Sequence, residues 1–416
     1  MYDIKKGYEL AKEIYAQYGI DVDRAIETCD KTPLSIHCWQ GDDCAGFENK
    51  GGELTGGIQA TGNYPGKARN PKELRSDLEL ALSFIPGEKK VNLHAIYLDT
   101  DEVVERNQIE PGHFEKWTDW ACKNGLGLDF NPTFFSHEKG DGLTLSSADE
   151  DVRAFWIEHD KRCRKIGQYF SEKTGKPCVI NHWIPDGSKE VLIDTLSPRL
   201  RLKDSYNQIL AEKYDGVIDA LECKLFGIGS EAYVAGSHEF YMAYTMENKD
   251  KAIVTFDTGH FHPTEAVSPK ISSVLAFSQS LLLHVSRPVR WDSDHVVNFD
   301  DETRAIMDEV VRMGVLDRVH FALDYFDGSV NRVVAWVVGA RNTKKALLEA
   351  LLQPVDKLKS LENDGDCSSR LAYTQEIKSL PFALVWDYYC QKSGCEVGLD
   401  WLEQVKKYES EVLLKR

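Results

Sequence analysis

The sequence predicts an α/β chain, a (β/α)8 TIM barrel with helical extensions at both ends. Three observations carry that prediction. Eight short apolar runs recur along the 416 residues. Stretches of helical periodicity separate them. Each run ends in residues capable of chemistry, and barrel enzymes place their sites at the C-terminal ends of their strands.

The runs occupy residues 35–40, 91–99, 125–132, 178–184, 216–225, 252–257, 281–286 and 319–326. Each is rich in β-branched or aromatic residues and nearly continuous in apolarity, as parallel strands buried on both faces must be. Between them, residues 71–85, 148–175 and 300–314 read as amphipathic helices. Spacings of a few tens of residues suit repeated βα units. A doubly wound open sheet is the alternative, and the chemistry at every run's end favours the barrel.

The first 30 residues read as a helix packed outside the barrel. After the eighth run the chain continues for about 90 residues, more than a last barrel helix needs. The stretch beginning GARNTKKALLEALLQ and the segment from Ser379 to Arg416 both read as helices. The expected organisation is therefore a catalytic barrel over 1–340 and a helical extension over 341–416, used in oligomer contacts. One connection breaks the pattern. Residues 41–66 are glycine-rich with neither period, and a loop that long serves as a lid over a site or as a loose excursion.

Lys and Arg number 50 against 67 Asp and Glu, a net charge of −17. That balance argues against nucleic acid and anionic membranes as partners, since both need a basic face. It fits a neutral or cationic small ligand or simply solubility, and solubility is the plainer reading. No 18-residue apolar run is present, so no membrane-spanning helix is expected. The N-terminus is amphipathic and lacks the apolar core of a signal peptide. Ten scattered cysteines without a C-x-x-C pair read as reduced thiols in a cytoplasm.

The densest chemistry lies between Asp257 and Asp294. His260, His262, His284 and Asp292 fall in the same stretch, beside apolar runs. Mixed carboxylate and imidazole suits Zn²⁺, Mn²⁺, Co²⁺ or Fe, whereas Ca²⁺ prefers all-oxygen shells. Asp292 and Asp294 are two residues apart, so in an extended segment both carboxylates face one way. Placed on the barrel, Glu222 and Lys224 end the fifth run, Asp257 and His260 the sixth, His284 the seventh and Asp324 the eighth. Four consecutive strand ends can converge on one rim. So many buried charges are costly unless a cation sits among them, and this many ligands exceed the needs of one ion that must also bind substrate. Two metals about 3.5–4 Å apart are the natural solution, Mn²⁺ or Co²⁺ first, Zn²⁺ and Mg²⁺ after. Each residue also has a structural reading. Asp292 could cap a helix near residue 300, His284 could be a core imidazole, and His262 and His295 could be solvent groups.

The segments FDTGHFHPTE, LLLHVSRPVRWDSDH, LDYFDGSVNR, ECKLFGIGSEAY, GSHEFYM and NHWIPDG resemble the L-rhamnose isomerase family, over essentially the whole chain. The resemblance implies a (β/α)8 barrel, a homotetramer, a cytoplasmic location and two divalent ions, usually Mn²⁺. Carried over by position, it implies a mainly structural ion on Glu222, Asp257, His284 and Asp324. A catalytic ion would sit on His260, Asp292 and Asp294. Thr258 stands between Asp257 and His260, and no consequence of its hydroxyl is expected.

Isomerising L-rhamnose to L-rhamnulose moves the carbonyl from C1 to C2. An ene-diol route needs a base at the C2 proton, whereas a hydride shift needs cations at O1 and O2. The residues favour the shift. Lys224 would add charge near the carbonyl oxygen, Asp324 would orient a water, and His94 would assist ring opening or hold a hydroxyl. Trp39, Phe134, Phe135 and Trp183 are aromatic candidates for packing on the sugar, and Asp186 is a candidate hydroxyl acceptor. The rivals are another metal-dependent sugar isomerase or epimerase, a two-metal hydrolase, and a binding barrel without turnover. The acidic balance and the lack of a Gly-rich phosphate loop weigh against the hydrolase.

Overall fold

A computed structural model describes residues 2–48, 62–140, 142–224, 232–262, 264–286 and 295–416. All eight expected strands form. They are β1 (Leu34–His37), β2 (Lys89–His94), β3 (Gly127–Asn131), β4 (Cys178–His182), β5 (Val217–Glu222), β6 (Ala252–Asp257), β7 (Leu281–Val285) and β8 (Val319–Leu323). Every neighbouring pair is parallel, and β1 closes on β8 through Leu34 opposite Phe321. The open-sheet alternative is thereby excluded. Nearly every strand residue is buried, which is why the runs lacked the alternation of a half-exposed sheet.

Each strand is followed by its helix. In order these are α3 (Pro71–Ser83), α4 (Glu115–Lys123), α5 (Glu150–Thr174), α6 (Leu196–Ile209), α7 (His238–Glu247), α8 (Ser268–Leu275), α9 (Asp301–Met313) and α10 (Arg332–Leu351). Their ends follow local chemistry. Asp149 caps α5 by accepting from the backbone N–H of Asp151 and Val152. Asp300, rather than Asp292, caps α9 by accepting from Thr303 N–H, and Gly314 closes that helix at φ 72°. Gly167 lets α5 settle onto β4, because a Cβ there would stand 2.6 Å from Ile180 Cδ1.

Two expectations need correction. The N-terminal 30 residues form two helices rather than one, α1 (Ile4–Ala16) and α2 (Val22–Lys31). Gly19, at φ 73°, breaks the chain between them, and Asp21 caps the second. The boundary at 340/341 falls in the middle of α10. That helix is the eighth barrel helix and buries residues from Arg332 to Ala350, so the extension begins after Leu351. The extension comprises α11 (Val355–Asn363), α12 (Cys367–Glu376), α13 (Phe382–Lys392) and α14 (Asp400–Glu411). It packs on its own barrel. Tyr388 stacks on Tyr8 of α1 at 3.7 Å, and Arg416 grips the buried Asp77 of α3 at 2.6 and 2.7 Å. None of the ten cysteines forms a disulfide, and eight of them are buried. No described helix is long and apolar enough to cross a membrane.

Candidate active site

The ends of β5 to β8 deliver Glu222, Asp257, His284 and Asp324 to one point. One ligand atom from each lies within 4.8 Å of all the others. Asp257 and His284 sit opposite each other in the β6–β7 ladder, so strand register alone sets that pair. His284 Nδ1 lies 3.1 Å from Glu222 Oε2 and 3.2 Å from Asp324 Oδ2. His260, one turn past β6, brings Nδ1 to 3.3 Å from the other Glu222 oxygen. Glu222 therefore stands between two imidazoles.

Three carboxylates around one buried imidazole leave negative charge in excess. Burial pushes the Asp257 carboxyl up to about 7, with Glu222 and Asp324 adding to it against the pull of His260 and His284. Burial alone would lower His284, but Glu222 and Asp324 outweigh it and hold the imidazole well above its ordinary range. A proton thus occupies the place where a cation would serve better. His284 Nε2 is buried and makes no hydrogen bond among the described residues. Three carboxylate oxygens and one imidazole nitrogen form a donor set that fits Mn²⁺ or Co²⁺.

Surrounding groups aim the ligands. Asn181 on β4 donates to Glu222 Oε2 and accepts from Thr255 Oγ1 at 2.8 Å. Asp257 Oδ1 accepts from Gly259 N–H at 2.6 Å and from Ser286 Oγ at 2.9 Å. Thr258, expected to have no consequence, bonds the Ser286 backbone on both sides. Its Oγ1 donates to the carbonyl at 3.0 Å and accepts from the N–H at 2.9 Å. It ties the end of β6 to the end of β7.

The opposite half of the rim, from β1 to β4, is aromatic. Trp39 Nε1 donates to Asp324 Oδ1 at 3.0 Å, and its ring meets the edge of His94 at 4.7 Å. His94 meets Phe135 at 5.5 Å, and Phe135 meets Trp183 at 6.1 Å. Lys224 completes the arc, with Nζ 5.4 Å from the Trp183 ring centre and donating to Pro185 O at 3.0 Å. Burial pushes His94 down to about 3, so the ring is neutral at any physiological pH. The rim thus has a charged half and an aromatic half, enough to bind one end of a small polyol electrostatically and the other by apolar contact.

The family model described as L-rhamnose isomerase (RhaA) matches residues 2–416. The chain belongs to the L-rhamnose isomerase family. It is 56% identical over 416 residues to the L-rhamnose isomerases of Salmonella paratyphi B (strain ATCC BAA-1250 / SPB7) and Salmonella typhi, covering 99% of each chain. Family membership makes it an aldose–ketose isomerase. Among solved structures it is similar to an L-ribulose 3-epimerase at a TM-score of 0.51 and 13% identity, over 76% of this chain and 95% of that one. That likeness concerns the barrel fold alone.

In this member of the family the expected site residues divide. Glu222, Asp257, His284 and Asp324 come together, with His260 beside them. Trp39, His94, Trp183 and Lys224 line the facing arc. Asp292 and Asp294 lie outside the described residues, as do residues 49–61 of the 41–66 loop. Two expectations are corrected. Phe134 points away from the pocket, its ring against Trp156 at 5.3 Å and His159 at 5.7 Å behind the barrel wall. Its neighbour Phe135 faces the pocket instead. Asp186 is fully buried, and its two oxygens already accept four bonds, from the N–H and Oγ groups of Thr144 and Ser146 at 2.5–2.9 Å. That fills the capacity of a carboxylate, so Asp186 is a loop brace rather than a sugar acceptor. His262 is exposed and bonds Thr264 at 2.6 Å, and His295 lies 3.6 Å from Asp327.

Sequence reasoning missed Asn181, Ser286 and His37. His37, at the end of β1, is fully buried and lies 4.3 Å from the Tyr325 ring. It had a signal, since it is the last residue of β1 as His94 is the last of β2. Asn181 and Ser286 had none, because uncharged residues inside apolar runs announce no partner.

Proposed function

We propose that this isomerase interconverts L-rhamnose and L-rhamnulose by a metal-assisted hydride shift between C1 and C2 of the open-chain sugar. The observation that supports this most is the Glu222–Asp257–His284–Asp324 cluster, an excess of buried negative charge facing a neutral aromatic wall. These four would hold one divalent ion. His260, Asp292 and Asp294 would hold a second, with Glu222 between the two sites. Mn²⁺ is the preferred ion, and Co²⁺, Zn²⁺ or Mg²⁺ are substitutes. Bound there, the ions supply Lewis acidity at O1 and O2, which a hydride shift needs and an ene-diol route does not.

The protein's own groups do the rest. Lys224 brings an ammonium to the junction of the two halves, where it offsets charge developing on the carbonyl oxygen. Asp324, fixed by Trp39 and His284, orients the group that moves the hydroxyl proton. His94, kept neutral by burial, accepts a hydrogen bond from a sugar hydroxyl during ring opening. Trp39, Phe135 and Trp183 receive the C–H face and methyl end of the sugar. The enzyme acts as a homotetramer in the cytoplasm, with the extension after Leu351 contributing contacts between subunits.

One assay tests the reading. Protein loaded with Mn²⁺ is incubated with L-rhamnose and ketose is measured, with and without a chelator. Ketose that depends on the metal supports the proposal. No ketose in the presence of Mn²⁺ sinks it. Asp292→Asn and Asp294→Asn are expected to abolish turnover while the fold persists, and near-normal turnover in either would remove that residue from the catalytic ion.

A further inference from the structure

Arg106 belongs to neither half of the rim, yet it is 1% exposed and every donor on its guanidinium is engaged. Nε and one terminal nitrogen grip both oxygens of Glu48, each at 2.9 Å. The other terminal nitrogen donates to the carbonyls of Thr133, at 2.9 Å, and of Phe135. The fifth donor meets Ser136 O at 3.0 Å. Five donors in a rigid planar fork meet five acceptors, a pattern that the three donors of a lysine do not reproduce.

What Arg106 holds is the loop that follows β3. Ser136 sits there at φ 55°, a left-handed conformation that is strained for a non-glycine residue and persists only when its surroundings enforce it. Its carbonyl is one of the three in the fork. His159 of α5 braces the same loop from behind. Thr133 N–H donates to His159 Nε2 at 3.1 Å, so Nδ1 carries the proton and donates to Arg106 O at 2.8 Å. The front of the loop faces the pocket. Thr133 Oγ1 bonds His94 Nδ1 at 3.1 Å, and the Phe135 ring meets both His94 and Trp183.

We infer that Arg106 is a positioning residue that sets the sugar-facing wall, aiming His94 through Thr133 and Phe135 through the backbone, and thereby tunes which aldose the pocket accepts. The inference rests on the proposed function only for the identity of the sugar. No described contact joins Arg106, Thr133 or Phe135 to the acidic cluster, so this part of the wall is separable from it.

The test is Arg106→Lys, which keeps the charge beside Glu48 but cannot span three carbonyls. The KM for L-rhamnose is expected to rise about tenfold or more while kcat stays within about threefold, since a wall displaced by about 1 Å misplaces the substrate. Preference for L-rhamnose over L-lyxose, which lacks the C6 methyl, is expected to narrow. Mn²⁺ affinity measured by calorimetry should not change. Phe135→Leu should raise KM alone and add little in the double variant, because both act through one wall. A lower Tm with KM unchanged, or fully additive effects, would overturn the inference. Should Arg106→Lys fail to fold, Thr133→Val removes only the hydroxyl that meets His94, and an unchanged KM there is equally fatal. A crystal structure of whichever variant folds gives a readout independent of turnover: residues 133–136 or the His94 ring move while Glu222, Asp257, His284 and Asp324 stay. If the wild type makes no ketose from L-rhamnose, the proposed function fails, and Arg106 is then judged on that displacement alone.

Discussion

His182, at the end of β4, points outward from the barrel into a cage of charge. Its Nδ1 lies 2.9 Å from Asp160 Oδ2 on α5, and its Nε2 lies 3.0 Å from Asp219 Oδ1 on β5. Arg164 reaches the same Asp219 with two bonds at 2.9 and 3.0 Å. Both ring nitrogens face carboxylates, so both must donate, and the ring is an imidazolium. Burial lowers the pKa, but Asp160 and Asp219 together outweigh it and raise the ring to about 9 from an ordinary 6.5. At about 1.4 kcal/mol per tenfold, that difference is worth about 3 kcal/mol. The folded-state pKa is raised, so the contribution is complete below pH 6.5 and is lost as pH rises through about 9. For a chain this long, an unfolding entropy of about 2 cal/mol/K per residue converts it to about 3–4 °C in Tm. The assay is calorimetric Tm between pH 6 and 10, in the wild type and in His182→Gln. The variant should start lower, with Asp160 left without its cation, and should lack the wild type's decline between pH 6.5 and 9. Parallel curves would refute the imidazolium, as would ring ¹⁵N shifts of a neutral tautomer at pH 7.5.

Three further outcomes follow from the cluster and its surroundings. A saturating ion should stabilise the wild type by about 2.7 kcal/mol at one hundred times its Kd, and Glu222→Gln should lose most of that Mn²⁺-dependent rise in Tm. Asp257 titrates at about 7, so its proton competes with a bound cation below that pH. Mn²⁺ affinity should therefore weaken between pH 8 and pH 6, and calorimetric titration at the two values checks it. Asp186→Asn should lower stability by about 1–3 kcal/mol, because an amide cannot accept from all four donors, while the KM for L-rhamnose stays unchanged; a raised KM would return Asp186 to the pocket.

The strands were legible because parallel strands covered on both faces are written as unbroken apolar runs, and the structure moves their ends by only a few residues. The helices expected over 148–175 and 300–314 run between Asp149 and Gly175 and between Asp300 and Gly314, caps that the sequence reading did not name. The boundary at 340/341 failed for a physical reason. The glycine and alanine at 339 and 340 read as a start, but in α10 they are where the helix packs tightly, with a Gly339 Cβ standing 2.1 Å from Tyr325 Oη. Charged ligands at strand ends were legible because burying a charge beside an apolar run is costly, and a bound cation offsets that cost. The aromatic wall was legible only in part, since Trp39 and Trp183 stood out but the choice between Phe134 and Phe135 did not. Phe134 and Phe135 are adjacent and chemically identical, and only the turn at Ser136 decides which one faces the pocket.

That turn also accounts for the different ways in which the wall and the cluster are encoded. Glu222, Asp257 and His284 sit on the barrel strands and Asp324 follows β8 directly, so ladder register fixes their separation, and Asn181, Ser286 and Trp39 at neighbouring strand ends aim their side chains. His94 leaves the strand with its ring orientation still open, and Phe135 sits in a loop with no ladder at all. Their geometry must come from elsewhere, and it comes from the five donors of Arg106 and from His159 on a helix outside the barrel. Changes in the loops after β2 and β3 can therefore reshape sugar preference without disturbing the cluster, whereas changes at Trp39 after β1, which holds Asp324, or in β5 to β8 cannot spare it. A barrel divided this way can change its sugar while conserving its reaction.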